Sequence, residues 1–316
     1  MIFNKTIQLL GLTCLLASCT KAPFSIHLTN NLNVDREHET VEISIANLPE
    51  YLSANITKVG VYDPSEKTYL INQLIDVDQD GKMDQLIFQP HMSPLSEKTY
   101  HLTEQQERPK VMEYCYSRIV PSRIDDYTWE NDKVAFRTYG PAAQALVEEG
   151  KKGGIISSGI DCWLKKVSYP VINKWYKASE EQGISYHEDH GEGLDNYHVG
   201  ISRGAGGLTV KGTDDQYFVS KNFTAHKTLA TGPLRTLFQL DYDDWQGPKG
   251  MIKEQKIISL DYGNNLMKIK VSIHGTDHIA AGISLQENNG TILDKDNLLV
   301  FKQNHFETIL SNVILT

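Results

Sequence analysis

Residues 256–273 read KIISLDYGNNLMKIKVSI, and no other feature of the chain restricts its fold more. Met267, Ile269, Val271 and Ile273 fall at every second position, with Lys268, Lys270 and Ser272 between them. A period of two puts one set of side chains on a buried face and the other in water, which a strand does and a helix of about 3.6 residues per turn does not. Gly263 and Asn264 interrupt the pattern and predict a turn between two long antiparallel strands. TLFQLDY at 236–242 repeats the alternation, so a large β-sandwich is expected.

The same signal recurs upstream in TVEISIANL, ITKVGVYD, QLIFQP and SEKTYHLTE, which predict an antiparallel β segment between about Phe24 and Leu102. The polar stretch TEQQERPKVMEY marks a boundary near residues 105–112. Helical periodicity appears only in PAAQALVEEGKK and INKWYKASEEQG. The expected division is a signal peptide at 1–18, an N-terminal β segment at 19–110 and a β-sandwich domain at 111–316.

The chain opens MIFNKTIQLLGLTCLLASCTK. A lysine, a short apolar run and small residues before Cys19 resemble a bacterial lipoprotein signal, too short to span a bilayer. The expectation is cleavage before Cys19, lipidation of its sulfur, and an exported lipoprotein, periplasmic or anchored to the outer membrane through its lipid alone. Cys115 and Cys162 remain, as a disulfide or as two buried thiols. A formal net charge of -9, with no run of basic residues interleaved with aromatics, excludes nucleic acid as an expected partner.

Three stretches carry candidate chemistry. DVDQDGKMD places Asp76, Asp78, Asp80 and Asp84 around Gly81. Alternate carboxylates before a sharp turn suit a hard cation, so the loop is read either as a Ca2+ site or as a solvated acidic turn; no organic cofactor is expected. RIVPSRIDDYTWENDKVAFRTYGP, residues 118–141, brings Arg123, Arg137, Trp129, Glu130, Asn131 and Tyr139 together with further acids, including Asp125 and Asp126. Guanidinium forks match carboxylates and aromatic faces stack on sugars, so the mixture suits an acidic carbohydrate. YHEDHGEGLDNYHVG, residues 186–200, supplies His187, His190, Glu192 and Asp195 on a glycine-rich loop, an acid–base pair or a cation site without the spacing of a zinc protease. Asp161, Trp163 and Lys165, with Arg235 further on, are read as lining the same cleft or as ordinary strand ends.

Long matching stretches, among them DVDQDGKMDQLIFQ, RIDDYTWENDKVAFRTYGP, GIDCWLKKVSYPVINKWY, YHEDHGEGLDNYHVGISRGAGG and ISLDYGNNLMK, cover most of residues 40–270. On these the chain resembles the Bacteroidetes family known as domain of unknown function 4861, exported proteins that accompany polysaccharide degradation. The resemblance implies an all-β fold: an antiparallel β-supersandwich like that of galactose mutarotases, with an N-terminal β segment and few short helices. It also implies further strands after residue 299, where this chain runs VFKQNHFETILSNVILT; a truncated end with unpaired edges is therefore expected.

These readings converge on a carbohydrate-active enzyme for uronic-acid oligosaccharides, a lyase or dehydratase that removes the proton beside the uronate carboxylate. Arg123, Arg137 or Arg235 would bind the uronate, His187, His190 or Tyr139 would serve as base or acid, and Glu192 and Asp195 would orient the histidines or hold a cation. Trp129 would stack on a sugar beside Glu130, Asn131 and Lys165. The rival readings are a mutarotase or epimerase, a glycoside hydrolase using two carboxylates, and a non-catalytic glycan-binding surface lipoprotein.

Overall fold

A computed structural model describes residues 23–316 except 106–108, 214 and 307. The signal sequence and Cys19 lie outside the described residues. Among these, antiparallel strands dominate and three α-helices occur, Glu50–Ser53, Pro141–Glu148 and Ile172–Gln182. The fold is all-β and sandwich-like.

Two small sheets form the N-terminal part. In one, Phe24–Thr29, Glu97–Glu104, Val59–Asp63 and Thr68–Leu70 lie side by side in that order; in the other, Val41–Ser44, Gln85–Phe88 and Asn72–Ile75 do. The period-two pattern explains the pairing of layers: Val59, Val61, Tyr100 and Leu102 from the first sheet meet Leu86 and Phe88 from the second in one core. Ile75 and Ile87 point the opposite way and pack on Leu234 and Leu237, docking this sandwich on the rest of the chain. Buried Gln73 crosses the same junction. Its side-chain oxygen accepts from the Leu234 and Arg235 amides at 3.0 and 2.9 Å, and its amide donates to the Arg235 carbonyl at 2.9 Å.

The second part is built on two five-stranded sheets. One runs Gly193–Leu194, Asp161–Lys165, Val134–Thr138, Asp126–Glu130, Tyr116–Val120. The other contains Ala225–Ala230, Arg235–Asp241, Gly250–Asp261 and Trp245–Gly247, with Lys268–His274 also paired to the long Gly250–Asp261 strand. This last pair is the hairpin expected from KIISLDYGNNLMKIKVSI, turning at Gly263. Tyr127, Trp129, Phe136 and Cys162 from the first sheet pack on Phe238, Leu240, Ile258 and Leu260 from the second. Cys115 and Cys162 are both buried free thiols. Two three-stranded sheets complete this part: Tyr217–Phe218, Ala205–Lys211 and Ala280–Ile283 form one, and Thr291–Lys295, Leu298–His305 and Thr308–Leu315 form the other, which contributes Leu310 to the same core.

Alternation decides what lies on the other face of the first sheet. Asp126, Thr128, Glu130, Ala135, Arg137, Asp161, Trp163 and Lys165 are out of phase with the core residues, and every strand residue from Asp126 to Glu130 and from Val134 to Thr138 is nevertheless buried. The cover is helix Ile172–Gln182 and the loop after it. Trp175, Tyr176 and Tyr186 pack on Trp163 and Ala135, with Trp163 stacked against Trp175 and Tyr186 at 5.5 and 5.4 Å between ring centroids. A polar face has thus been roofed by an aromatic layer.

Candidate functional site

Under that roof, Arg137 joins three carboxylates from three segments. Its Nε lies 2.9 Å from Asp161 Oδ2, and its Nη2 donates to the same oxygen and to Asp195 Oδ2 at 2.8 Å. Asp126 Oδ2 stands 3.6 Å from Nη1. Arg137 is 5% exposed and Asp126, Asp161 and Asp195 are 2%, 0% and 1%, so water screens little of this charge. Burial, reinforced by the neighbouring Asp161, outweighs the attraction of Arg137 and Arg123 and pushes Asp126 up to about 7 and Asp195 up to about 8. Burial also keeps the Tyr139 phenol protonated, its ring centroid 5.8 Å from the Arg137 guanidinium. One Asp195 oxygen, Oδ1, is buried with no hydrogen-bond partner among the described residues.

The cluster reaches solvent through Tyr186, His187 and Arg123. Tyr186 Oη accepts from Arg123 Nε at 2.8 Å and from Arg137 Nη1 at 3.4 Å. His187 packs against the Tyr186 ring at 4.5 Å, and its side chain is 54% exposed. Its Nδ1 lies 2.7 Å from the Asp195 carbonyl oxygen and 3.5 Å from Asp195 Oδ2. A carbonyl only accepts, so Nδ1 carries a proton in this contact and Nε2 is the ring nitrogen left to act as a base.

Local backbone fixes Arg123 in place. It ends a short 3-10 turn, and the next two residues, Ile124 and Asp125, adopt φ of 51° and 62°. For a β-branched residue this left-handed conformation costs about 1–2 kcal/mol and persists only where neighbours impose it. They do so here: the Ala143 amide donates to the Ile124 carbonyl at 3.1 Å and the Ala142 amide to Asp125 Oδ2 at 3.2 Å, both from the start of helix Pro141–Glu148. Gly140 makes the approach possible, since a Cβ there would fall on the Asp125 carbonyl oxygen. On the opposite side, Gly193 (φ 109°) lets the loop run against the Leu164 carbonyl.

Other expected site residues are placed elsewhere. Trp129, expected to stack on a sugar, is fully buried in the sandwich core against Phe136 and Phe238. Glu130 accepts from Lys165 and from the Val171 and Ile172 amides, fastening the start of the roof helix. Asn131 donates to the Asp261 and Asn264 carbonyls at 2.6 and 2.7 Å. Arg235 is committed to Asp261 and Glu42 beside a groove of about 320 Å³ at the junction of the two parts. Glu192 accepts from Trp175 Nε1 at 3.0 Å and pairs with Lys174 and Tyr169, and His190 Nε2 lies 3.1 Å from the Ser185 carbonyl. These two fasten the loop. Of the twelve residues proposed as catalytic or substrate-binding, the structure gathers Arg123, Arg137, Tyr139, His187 and Asp195.

Asp126 and Tyr186 belong to the cluster without having been assigned a role, and Asp161, read as lining the cleft or as an ordinary strand end, sits at its centre. Asp161 carried a legible signal, a carboxylate in phase with Arg137 on a strand otherwise apolar enough to be central. In the distant aspartate loop, Asp76, Asp78 and Asp84 bring ligand oxygens within 4.8 Å of one another, a donor set that fits a hard divalent cation. Asp80 stands apart from that group and pairs with Lys82 at 3.6 Å.

The fold and site define an all-β protein of stacked sandwiches with a buried guanidinium–carboxylate cluster under an aromatic roof. The chain belongs to the DUF4861 family, described as a domain of unknown function, whose sequence profile matches residues 28–306. Uncharacterized protein P7 of Formosa agariphila is 45% identical over 309 residues, covering 95% of this chain and 78% of that protein. No solved structure matches.

Proposed function

We propose that this protein acts on uronic-acid-containing oligosaccharides by removing the proton beside the uronate carboxylate, as a lyase or dehydratase. The observation that carries the reading is the pairing of Arg123 with His187 through Tyr186. Arg123 spends its Nε on Tyr186 and, among the described residues, its Nη fork makes no hydrogen bond and stays open to a carboxylate, whereas Arg137 and Arg235 are taken up by aspartates. A bidentate guanidinium draws charge from the carboxylate and makes the neighbouring C–H more acidic. His187 Nε2 takes that proton, and Tyr139, held in its protonated form, gives one to the departing oxygen. Asp195 holds His187 in orientation through its backbone carbonyl. We propose further that the protein is an exported lipoprotein and that Asp76, Asp78 and Asp84 hold calcium as a structural ion.

Incubation with saturated and unsaturated uronate oligosaccharides, followed by mass and by ultraviolet absorbance of the conjugated double bond, tests this. Elimination appears as a changed absorbance, or as loss of water from the product mass. Exchange of anomers without either change would favour a mutarotase, a gain of water a hydrolase, and tight binding without turnover a glycan-binding protein.

A further inference from the structure

Charge in the buried cluster does not balance when every group is ionised. Asp126, Asp161 and Asp195 bring three negative charges to two guanidiniums, Arg137 and the part-buried Arg123. An uncompensated charge at this depth costs several kcal/mol, so a proton held within the cluster is the cheaper state. The groups facing Asp126 leave few other ways to reach neutrality. Arg123 and Asp125 flank it in its own turn, Arg137 with Tyr139 and Asp161 come from the neighbouring strands, and Tyr176 from the roof helix. Tyr186, His187 and Asp195 come from the loop. The unpartnered Asp195 Oδ1 offers a place where a proton removes a bare negative charge.

A ligand carboxylate on Arg123 changes the count by one, since it cancels a guanidinium that had been offsetting Asp126. We propose that a monoanionic carboxylate binds at Arg123 together with one proton, which the Asp126 and Asp195 carboxylates take up across Arg137. The proposal rests on the uronate reading above and adds its regulation. Capture strengthens as pH falls through neutrality, and a dianion, which needs a second proton, is disfavoured.

Titration calorimetry with glucuronate, in two buffers of different protonation enthalpy, counts the protons directly. The expected result is an uptake approaching one proton, with Kd rising about ten-fold per pH unit above neutrality. Combining Asp126→Asn with Asp195→Asn is expected to abolish the uptake while glucuronate still binds. Binding without uptake in the wild type, or unchanged uptake in the double variant, would overturn the proposal. A ligand-free measurement separates it from the uronate reading: in Arg123→Gln, carboxyl-carbon NMR should show Asp126 titrating at a higher pH than in the wild type, and an unmoved titration refutes the coupling. If that titration moves while glucuronate fails to bind, the coupling stands and the uronate reading falls. Should the double variant not fold, the wild-type uptake and the Arg123→Gln titration decide.

Discussion

Arg137 Nη2 and Asp195 Oδ2 lie 2.8 Å apart, and this contact ties the histidine-bearing loop to the centre of the sheet beneath it. Removing the guanidinium would strand three carboxylates in a dry site. Arg137→Gln is therefore expected to destabilise the fold by about 3–5 kcal/mol, as losing one partner of a buried ion pair does. Urea denaturation at pH 5 and pH 8 checks this, and the loss should be larger at pH 8, where more of the stranded acids are charged.

Stability itself should depend on pH with a sign set by Asp126 and Asp195. Both are raised in the folded protein, to about 7 and about 8, against about 4 in the unfolded chain. The folded state then binds more protons across that interval, so the contribution of these groups is full below about pH 4 and is lost as pH rises through 7 and 8. Asp195→Asn, which mimics the protonated acid, should flatten the decline between pH 5 and pH 8. An unchanged slope would place the proton elsewhere.

Glu192 is expected to matter for order in the loop more than for global stability. Glu192→Gln weakens ties to Lys174, Tyr169 and Trp175 that are largely surface bonds and contribute little to global stability. Hydrogen exchange should quicken across residues 185–195 while the midpoint of global unfolding moves little. Equal acceleration in the core strands would contradict this.

Calcium gives a sharper contrast within one loop. If Asp76, Asp78 and Asp84 hold the ion, millimolar calcium should raise Tm, since a ligand that binds only the folded state stabilises it. Asp84→Ala should remove that shift and Asp80→Ala should leave most of it. Equal effects of the two substitutions would mean that the loop is only an acidic turn.

Strand identity was readable in this chain because a period of two survives wherever one sheet face meets a core, as in Met267, Ile269, Val271 and Ile273. The pattern fails for Asp126–Glu130 and Val134–Thr138, where both faces are buried. There Trp129 looked like a binding aromatic, although its ring is in phase with Tyr127 and the core. Candidate residues from one contiguous stretch, such as His187 and Asp195, stand out through local composition. Asp161 was harder to assign, because its meeting with Arg137 depends on strand pairing across 24 residues rather than on a motif. The ion pairs of Arg235 and Lys165 are illegible for the same reason: their acidic partners, Glu42 and Asp261 for one and Glu130 for the other, lie far away in sequence.

Proton removal by His187 is tested most directly by comparing turnover of uronate oligosaccharides by the wild type with that of His187→Asn, His190→Asn and Arg123→Gln, each first shown to be folded by thermal unfolding. His187→Asn is expected to lower kcat by about 100-fold or more, as loss of a general base does, and Arg123→Gln chiefly to raise KM. His190→Asn, where the ring meets the Ser185 carbonyl, should retain most activity. No turnover by the wild type, or full activity in His187→Asn, would contradict it.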